Sequence, residues 1–316
     1  MRIHHVTAIA GEPRRNLDFY AGLLGMRLVK LTVNYDDPGT YHFYFGDELG
    51  RPGSLLTFFP WDGGRPGRQG TGQINGVALA IPQGSLGYWV ERLLSRGVKY
   101  EGPSRRFGEQ VLAFADPDGM MLELVAAPSA AGLEGRRDGP VPAEHAIRGV
   151  RGITIWEDGD AGSAAFLTGT MGYTVREEAD NRVRLESGSD RLGSVVELRR
   201  APGFWRGTDG VGTVHHVAFR AGDDAEQLVR QRELREMGVQ VTDVRDRTYF
   251  RSIYFREPGG VLFEIATDGP GFTVDESPAE LGSALRLPAR LEGLRQRLEA
   301  SLPPLHPPHA EASEAR

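Results

Sequence analysis

Two pairs of adjacent histidines and one glutamate are the residues of this sequence best suited to chemistry. His4 and His5 lie in the first apolar stretch of the chain, and His215 and His216 lie in a similar stretch near the other end. Glu264 lies in the apolar run 261–266, where a carboxylate without a cation would be costly. Imidazole and carboxylate are ligands that divalent transition metals accept. We therefore expect His5, His216 and Glu264 to bind a metal ion.

The composition narrows the class of protein. The chain has 316 residues, a net charge of −6 and no cysteine, so disulfides, thiolate metal sites and cysteine nucleophiles are excluded. We find no basic block with interleaved aromatics, so nucleic acid is not expected as a partner. No apolar run approaches the ~18 residues of a membrane span, and the N-terminus does not resemble a signal peptide. The expected location is the cytoplasm, with no membrane partner.

A β-hairpin is predicted around Glu264. Strand-forming residues flank a Glu-Pro-Gly-Gly turn at 257–260. With the turn centred on Gly259, Tyr254 lies directly across from Glu264 on the same sheet face. The hairpin therefore places a phenol beside the carboxylate.

A strand–helix–strand–strand–strand pattern recurs four times along the chain, which is the main organisational signal. The first strands of the four blocks begin near residues 3, 77, 150 and 214. In the second block we interpret the residues between the helix at 86–95 and the strand at 110–115 as a Gly-rich connection. In the fourth block, a helix at 225–237 is expected to bury Leu228 and Leu234. The tail shows leucines at helical spacing over 288–302, followed by a Pro-rich end.

Aligning the four blocks gives two columns of candidate site residues. The first-strand column holds His5, Gly76, Gly152 and His216, and the last-strand column holds Thr57, Glu123, Glu197 and Glu264. Only the pairing of block one with block four brings two imidazoles and a carboxylate together. We therefore predict two sheets, one from blocks one and four with the metal, and one from blocks two and three without it.

These patterns predict an α+β protein of four βαβββ modules in two tandem halves plus a C-terminal helix. The predicted domains are an N-terminal pair of modules at 1–128, a C-terminal pair at 147–270, and a helix with a Pro-rich tail at 271–316. Residues 126–146 are small, polar and rich in Pro and Gly, which is typical of a linker. The sheet edges and the C-terminal helix are compatible with a homodimer.

Simpler structural roles compete with the functional ones. Strand alternation turns His4 and His215 to the opposite face, where they would only pack, unless a bulge turns them inward. Thr7 shares the face of His5, but Thr154 occupies the same column in a block that lacks histidine. Glu123 and Glu197 occupy the same column as Glu264 in blocks without a predicted metal site, so a glutamate at this position does not by itself indicate a metal. The role of His42, in the strand 40–45, stays open.

Longer segments resemble a known family. The four modules, the His-His-Val segments and Glu-Pro-Gly-Gly-Val-Leu-Phe-Glu resemble the vicinal oxygen chelate superfamily, which includes glyoxalases, bleomycin-resistance proteins and extradiol dioxygenases. Within it, the chain up to about residue 302 is similar to the hydroquinone ring-cleaving dioxygenases. The segments that carry this similarity are 33–39 (Val-Asn-Tyr-Asp-Asp-Pro-Gly), 41–47, 248–255 and 271–276.

The resemblance implies a function and its site. It implies an Fe(II) ion, with Mn(II) as the alternative, held by His5, His216 and Glu264, and ring cleavage of a small aromatic substrate by dioxygen. The residues that it implies around the metal are Tyr254, Arg247, Thr7, His4 and His215. Three other functions stay open: a catechol extradiol dioxygenase, a glyoxalase-like isomerase or lyase, and a non-catalytic small-molecule-binding protein. Thr57 disfavours the isomerase, because that class typically has a carboxylate in the fourth corner of the cup.

Overall fold

The computed structural model describes residues 1–188 and 190–305, which form four modules of strands with one helix each. Module one consists of β1 (Ile3–Ala10), α1 (Pro13–Leu17, continued by a π-helical turn at Asp18–Leu23), β2 (Arg27–Val33), β3 (Tyr41–Gly46) and β4 (Leu55–Pro60). Module two consists of β5 (Gln73–Ile81), α2 (Leu86–Ser95), β6 (Tyr100–Arg106), β7 (Glu109–Ala115) and β8 (Met121–Ala126).

The second half of the chain repeats this arrangement. Module three consists of β9 (Gly149–Glu157), α3 (Ala161–Gly169), β10 (Thr174–Ala179), β11 (Arg182–Glu186) and β12 (Val195–Arg200). Module four consists of β13 (Thr213–Ala221), α4 (Asp224–Glu236), β14 (Arg245–Asp246), β15 (Arg251–Arg256) and β16 (Leu262–Thr267). The predicted C-terminal helix is a 3-10 helix at Ala289–Leu294 followed by α5 (Arg295–Ser301). Most of the predicted Pro-rich tail lies outside the described residues.

The strands form two eight-stranded sheets, and each sheet combines modules from both halves of the chain. The first sheet has the order β14-β15-β16-β13-β1-β4-β3-β2, and the second has the order β10-β11-β12-β9-β5-β8-β7-β6. The central contacts are antiparallel, between β1 and β13 in the first sheet and between β5 and β9 in the second. The predicted pairing of module one with four and two with three is confirmed, as is the α+β class.

Helices α1 and α3 pack between the two sheets. The fully buried Tyr20 ring lies 4.3 Å from Phe58 of the first sheet, and its hydroxyl donates a hydrogen bond to Asp116, 2.9 Å away, in module two. Phe166 of α3 contacts Phe255 of β15, with ring centroids 5.9 Å apart. Because side chains alternate along a strand, the apolar residues of β1 that face this core leave His5 and Thr7 on the other face. That face of the first sheet forms the cup in which the site lies.

A one-residue bulge interrupts the first strand of every module. In the β1–β13 ladder the register shifts at His4 and again at His215. The β5–β9 ladder shifts at the equivalent positions, Asn75 and Arg151. A bulge inserts one extra residue into a strand, so the regular alternation of side chains is lost at that point. The bulge recurs whether or not the position holds histidine, and it is therefore a property of the fold.

Two predictions of local structure were wrong. Residues 100–106, read as part of a connection, form the edge strand β6, whose exposed polar residues and Pro103 hide the strand pattern. In α4, Leu228 is 43% exposed, while Leu234 is buried as predicted. The inward position beside it belongs to Gln227, whose amide donates to two backbone carbonyls of the adjoining strands. Within the described residues, no helix is long and apolar enough to cross a membrane.

The segment that follows module four returns to module one. Its anchor is the fully buried Lys30 of β2, whose ammonium group forms ion pairs with Asp275 at 2.6 Å and with Glu276. Asp275 also accepts a hydrogen bond from the Tyr249 hydroxyl at 3.0 Å. A buried ammonium group is tolerated only when carboxylates of this kind balance it. The contacts therefore fix the segment against β2 and Tyr249.

Candidate metal centre

The three predicted ligands converge in the cup of the first sheet. His5 on β1, His216 on β13 and Glu264 on β16 are all buried, and one ligand atom from each lies within 4.8 Å of the others. The Glu264 Oε2 atom is 3.4 Å from His5 Nε2 and 2.9 Å from His216 Nε2. Residues more than 200 positions apart in sequence are therefore brought together. Their role as ligands stays a prediction.

A divalent metal ion fits the chemistry of this group. Glu264 is fully buried, and its Oε2 atom has no hydrogen-bond partner among the described residues. Burial alone would raise the pKa of Glu264, but the adjacent His5 and His216 imidazoles hold it well below its usual range. The carboxylate is therefore ionised at neutral pH, and it faces two imidazole nitrogens. Two histidines and one carboxylate form the facial set of ligands typical of non-haem Fe(II) oxygenases.

The two bulges place each extra histidine beside a ligand. His4 Nδ1 lies 2.9 Å from His5 Nδ1, and His215 Nδ1 lies 2.7 Å from His216 Nδ1. The rings of His5 and His216, the candidate ligands, are thereby held through Nδ1, which leaves each Nε2 atom facing Glu264. His215 also lines the cavity above the cup, whereas His4 is buried against Phe250, with ring centroids 5.2 Å apart. The bulge, and not simple strand alternation, decides where these two residues point.

The hairpin of module four supports Glu264 from the side. Tyr254 lies opposite Glu264 in the β15–β16 ladder, as predicted from the position of the turn. Ser252, two residues earlier on β15, is fully buried and donates a short hydrogen bond to Glu264 Oε1. One carboxylate oxygen is thus held by Ser252, and the other faces the imidazoles.

A cavity of about 270 Å³ opens directly onto the three candidate ligands. This volume accommodates one substituted aromatic ring. Its walls combine aromatic side chains with a few polar groups. Apart from its histidines, the aromatic residues of the walls are Tyr35, Tyr44, Phe59, Trp61, Phe250 and Tyr254.

Arg247 lies in the wall of the cavity and links modules one and four. Its Nε atom donates to the Tyr254 hydroxyl at 3.0 Å, and its Nη2 atom donates to Asp36 at 2.8 Å. Asp36 also accepts a hydrogen bond from Arg245 at 3.3 Å. Since Asp36 belongs to the β2–β3 connection, these contacts join the two arms of the cup across its mouth. Arg247 is therefore not an ordinary surface charge.

Thr7 reaches the site through Thr57. The two hydroxyl oxygens are 2.8 Å apart, and Thr57 Oγ1 is also 3.0 Å from His42 Nε2. Thr7 itself does not line the cavity, whereas His42 does. The fourth corner of the cup therefore holds a hydroxyl group engaged in hydrogen bonds, and no carboxylate.

The equivalent cup in the second sheet is filled by an arginine. Arg106 forms a bidentate pair with Glu123 at 2.9 and 2.5 Å and contacts Glu197 at 2.9 Å. Arg182 reaches Glu197 at 3.0 Å. Glu123 and Glu197 occupy the same column as Glu264, so a guanidinium cation stands where the first sheet has its candidate metal site.

Two residues of the site, Asp36 and Ser252, are absent from the predicted set, and the sequence leaves the role of His42 open. Asp36 lies in the turn segment 33–39, where it looked like an ordinary turn former. Ser252 shares the sheet face of Tyr254, so the predicted hairpin register already contained the signal for it. His42 has the same relation to Thr57 that Ser252 has to Glu264, and the repeat alignment would have found it if extended to the third strand.

This fold and this site together define a protein of two cross-paired βαβββ sheets with a candidate metal-binding cup in the first sheet. The chain belongs to the Glyoxalase/Bleomycin resistance protein/Dioxygenase superfamily, whose family model matches residues 2–124 and 153–265.

Individual relatives extend over nearly the whole chain. It is 46% identical to the Bacillus subtilis (strain 168) protein named "Putative ring-cleaving dioxygenase MhqO", covering 96% of both chains. It is 36% identical to the "Chlorohydroquinone/hydroquinone 1,2-dioxygenase" of Sphingobium indicum, covering 94% of both. A solved structure of a "putative dioxygenase" from Bacillus subtilis superposes with a TM-score of 0.89 at 45% identity, covering 97% of both chains. Glyoxalase I from Zea mays, at 18% identity and a TM-score of 0.61 over 84% of this chain and 92% of its own, shares the fold.

Proposed function

We propose that this protein is an Fe(II)-dependent dioxygenase that cleaves the ring of a hydroquinone-type aromatic. The observation that carries the proposal is the buried His5, His216 and Glu264 group at the base of a cavity with aromatic walls. The relative named as a chlorohydroquinone/hydroquinone 1,2-dioxygenase, which matches over 94% of both chains, supports the choice of substrate.

The metal would be held by His5 Nε2, His216 Nε2 and Glu264 Oε2. Bound there, it would supply Lewis-acid activation of a phenolate and electron transfer to dioxygen, with open positions for both. Mn(II) suits the same ligands and is the alternative ion. The protein's own contribution is to orient the ring, exclude water and move protons.

Tyr254 is proposed as the proton donor of the site. Its hydroxyl oxygen accepts a hydrogen bond from Arg247 Nε at 3.0 Å, so its own proton is free to point into the cavity. Burial, reinforced by the Glu264 carboxylate, raises the pKa of Tyr254 above its usual value. The phenol therefore stays protonated at neutral pH and can donate to a negatively charged oxygen.

His215 is proposed as the second polar group that meets the substrate. Burial, together with His216, lowers the pKa of His215 to about 3, so the ring is neutral. If His216 uses Nε2 for the metal, its Nδ1 carries the proton that is donated to His215 Nδ1. His215 then carries its own proton on Nε2, as a donor in the cavity wall. His4 and Thr7 would act only by orienting His5 and Thr57.

The substrate geometry gives a reason to favour hydroquinone over catechol. A catechol can chelate the metal through two adjacent oxygens, whereas the second oxygen of a hydroquinone lies across the ring. The protein must then hold the ring by other groups, and Arg247, Tyr254 and His215 are such groups. The isomerase alternative is less supported, because Thr57 fills the fourth corner with a hydroxyl bonded to Thr7 and His42.

Oxygen uptake tests the proposal. The protein is loaded with Fe(II) without oxygen, mixed with hydroquinone or catechol, and then aerated. We expect the larger kcat/KM with hydroquinone, and we expect Arg247→Ala to weaken that reaction more than the catechol reaction. His5→Ala should lose metal and activity, whereas His145→Ala, which alters a histidine stacked on Tyr88 away from the cup, should keep both. A preference for catechol would indicate an extradiol enzyme, and no uptake with either would favour the isomerase or binding function.

A further inference from the structure

His42 of β3 lines the cavity but belongs neither to the candidate ligands nor to the histidines beside them. Its ring packs between Tyr44 and Phe59, with centroid distances of 4.0 and 4.4 Å. Its Nε2 atom lies 3.0 Å from Thr57 Oγ1. Aromatic contacts on two sides and one polar contact fix the orientation of the ring.

The hydroxyl groups next to His42 indicate where its proton resides. Thr7 Oγ1 is fully buried, and Thr57 Oγ1, at 2.8 Å, is its hydrogen-bond partner in the described part of the chain. If Thr7 donates to Thr57 and Thr57 donates to His42 Nε2, both hydroxyl protons have an acceptor. The opposite direction would leave the Thr7 proton buried without one, which costs about 1–3 kcal/mol. His42 therefore accepts at Nε2.

The remaining nitrogen of His42 faces the cavity as a donor. Burial lowers the pKa of His42 well below its usual range, so the ring is neutral and its single proton resides on Nδ1. Among the described residues, His42 Nδ1 has no hydrogen-bond partner. It is also absent from the polar atoms that are fully buried without a partner, so it is accessible from the cavity. An N–H group that is neither paired nor buried, on a ring that lines the cavity, is available to a ligand.

The pseudo-symmetry of modules one and four supports this assignment. Tyr44 lies opposite Thr57 in the β3–β4 ladder, just as Tyr254 lies opposite Glu264 in the β15–β16 ladder. His42 and Ser252 are each two residues before these tyrosines. Ser252 holds the Glu264 carboxylate. In module one, Thr57 stands in place of the carboxylate, and the position equivalent to Ser252 is His42. Thr57 engages Nε2 of this imidazole, so Nδ1 remains without a partner among the described residues.

We propose that His42 binds the substrate, by donating its Nδ1–H hydrogen bond to the ring hydroxyl that the metal does not hold. The inference rests on the proposed function and adds a residue to it. A hydroquinone needs a partner for the oxygen across the ring, and His42 presents a fixed donor from the arm of the cup opposite to Arg247. A monophenol lacks that oxygen and would leave the donor without a partner. His42 is thus a source of selectivity for diols over monophenols.

The test compares binding of hydroquinone and phenol in the absence of oxygen. The Fe(II)-loaded protein is titrated with each compound by calorimetry, so the readout is affinity and not turnover. Two variants separate the two nitrogens of His42. His42→Asn keeps an amide near the Nδ1 position, whereas His42→Gln extends its amide to the Nε2 position beside Thr57. Metal content and the melting temperature are measured for both, to verify that the site and the fold persist.

The expected result is a change in the ratio of the two affinities. One neutral hydrogen bond corresponds to a factor of about three to ten. His42→Gln should reduce the preference for hydroquinone over phenol by that factor, whereas His42→Asn should retain most of it. If His42→Gln keeps the wild-type ratio, or both variants lose it equally, the assignment of Nδ1 is wrong.

Thr57→Val and the wild-type protein provide two further tests. If the His42 variants fail to fold, Thr57→Val leaves the imidazole in place and removes the hydroxyl that donates to Nε2. The ratio should then fall by about two- to threefold, and an unchanged ratio would overturn the proposal. If the wild-type protein binds neither compound, the proposed function fails together with this inference. If it binds hydroquinone with no role for His42, only the inference fails.

Discussion

Replacing Arg106 by Met should destabilise the second sheet without affecting the candidate metal centre. Arg106 is the cation between Glu123 and Glu197, and its removal leaves the Glu123 carboxylate without a charged partner, while Glu197 keeps Arg182. Breaking a buried ion pair costs about 3–5 kcal/mol. The side chains of Arg106 and Glu123 are 20% and 13% exposed, so water compensates for part of that loss. We expect a loss of about 2–3 kcal/mol.

The assay is thermal unfolding at two pH values. For a protein of this size, the expected loss corresponds to a decrease of roughly 3–5 °C in melting temperature. Burial raises the pKa of Glu197, and Arg106 acts in the opposite direction, so the variant should bind protons more readily than the wild type. The deficit should therefore be larger at pH 8 than at pH 5.

Two controls separate charge from packing. Arg105, the exposed neighbour on the same strand, forms no salt bridge within the described residues, and Arg105→Met should change the melting temperature little. Adding Glu123→Gln to Arg106→Met removes the unpaired charge and should restore part of the stability. The metal content of the candidate centre should equal that of the wild type in all of them. If Arg106→Met and Arg105→Met have the same melting temperature, or if the loss of stability is independent of pH, Arg106 is not the cation that neutralises the second cup.

Three other perturbations have defined outcomes. Ser252→Ala removes the hydrogen bond to Glu264 Oε1, and metal affinity, measured by competition with a chelator, should fall by about 10- to 100-fold. Ser194→Ala, which alters a buried serine just before β12, should not change it. Asp36→Asn removes the ion pair of the Arg247 Nη2 group. Because Asp36 is half exposed, we expect only a two- to fivefold loss of kcat/KM with hydroquinone. The control variant Asp37→Asn should lose less. Burial and Glu257 raise the pKa of Glu157 to about 7, so the folded protein binds more protons than the unfolded chain between about pH 4.5 and 7. Stability therefore falls as pH rises through that window, and Glu157→Gln should remove about 1–2 kcal/mol of this dependence. An unchanged slope of melting temperature against pH would contradict the assignment.

The cross-paired sheets and the three candidate ligands could be predicted because they depend on repetition. Each module is a local unit, so aligning the four blocks compared residues that occupy equivalent places in one fold. Placing His5, His216 and Glu264 together then required only a choice among pairings. The position of Tyr254 followed from the turn, because the register of a short hairpin is set by its loop.

The positions that could not be predicted depend on departures from regular geometry or on distant contacts. The bulges at His4 and His215 reverse the direction that strand alternation assigns, and in this sequence a bulge has no fixed residue type: the equivalent positions are Asn75 and Arg151. The partner of Arg247 could not be predicted, because Asp36 is more than 200 residues away in sequence. Edge strand β6 was missed because it faces water and carries no apolar alternation.

The missed strand and the metal-free cup are connected. Arg106 is the last residue of β6, and from there its guanidinium group reaches Glu123 of β8 and Glu197 of β12. The column alignment gives the second cup two glutamates, Glu123 and Glu197, and no cation. Folded proteins avoid carboxylates that are removed from water without a counter-charge. Arg106 supplies the counter-charge from 96–109, the stretch of module two without a predicted strand, and Arg182 adds a second cation at Glu197. Each cup is neutralised by a cation, supplied in the second sheet by the chain itself and, on our proposal, in the first by a metal that leaves room for substrate.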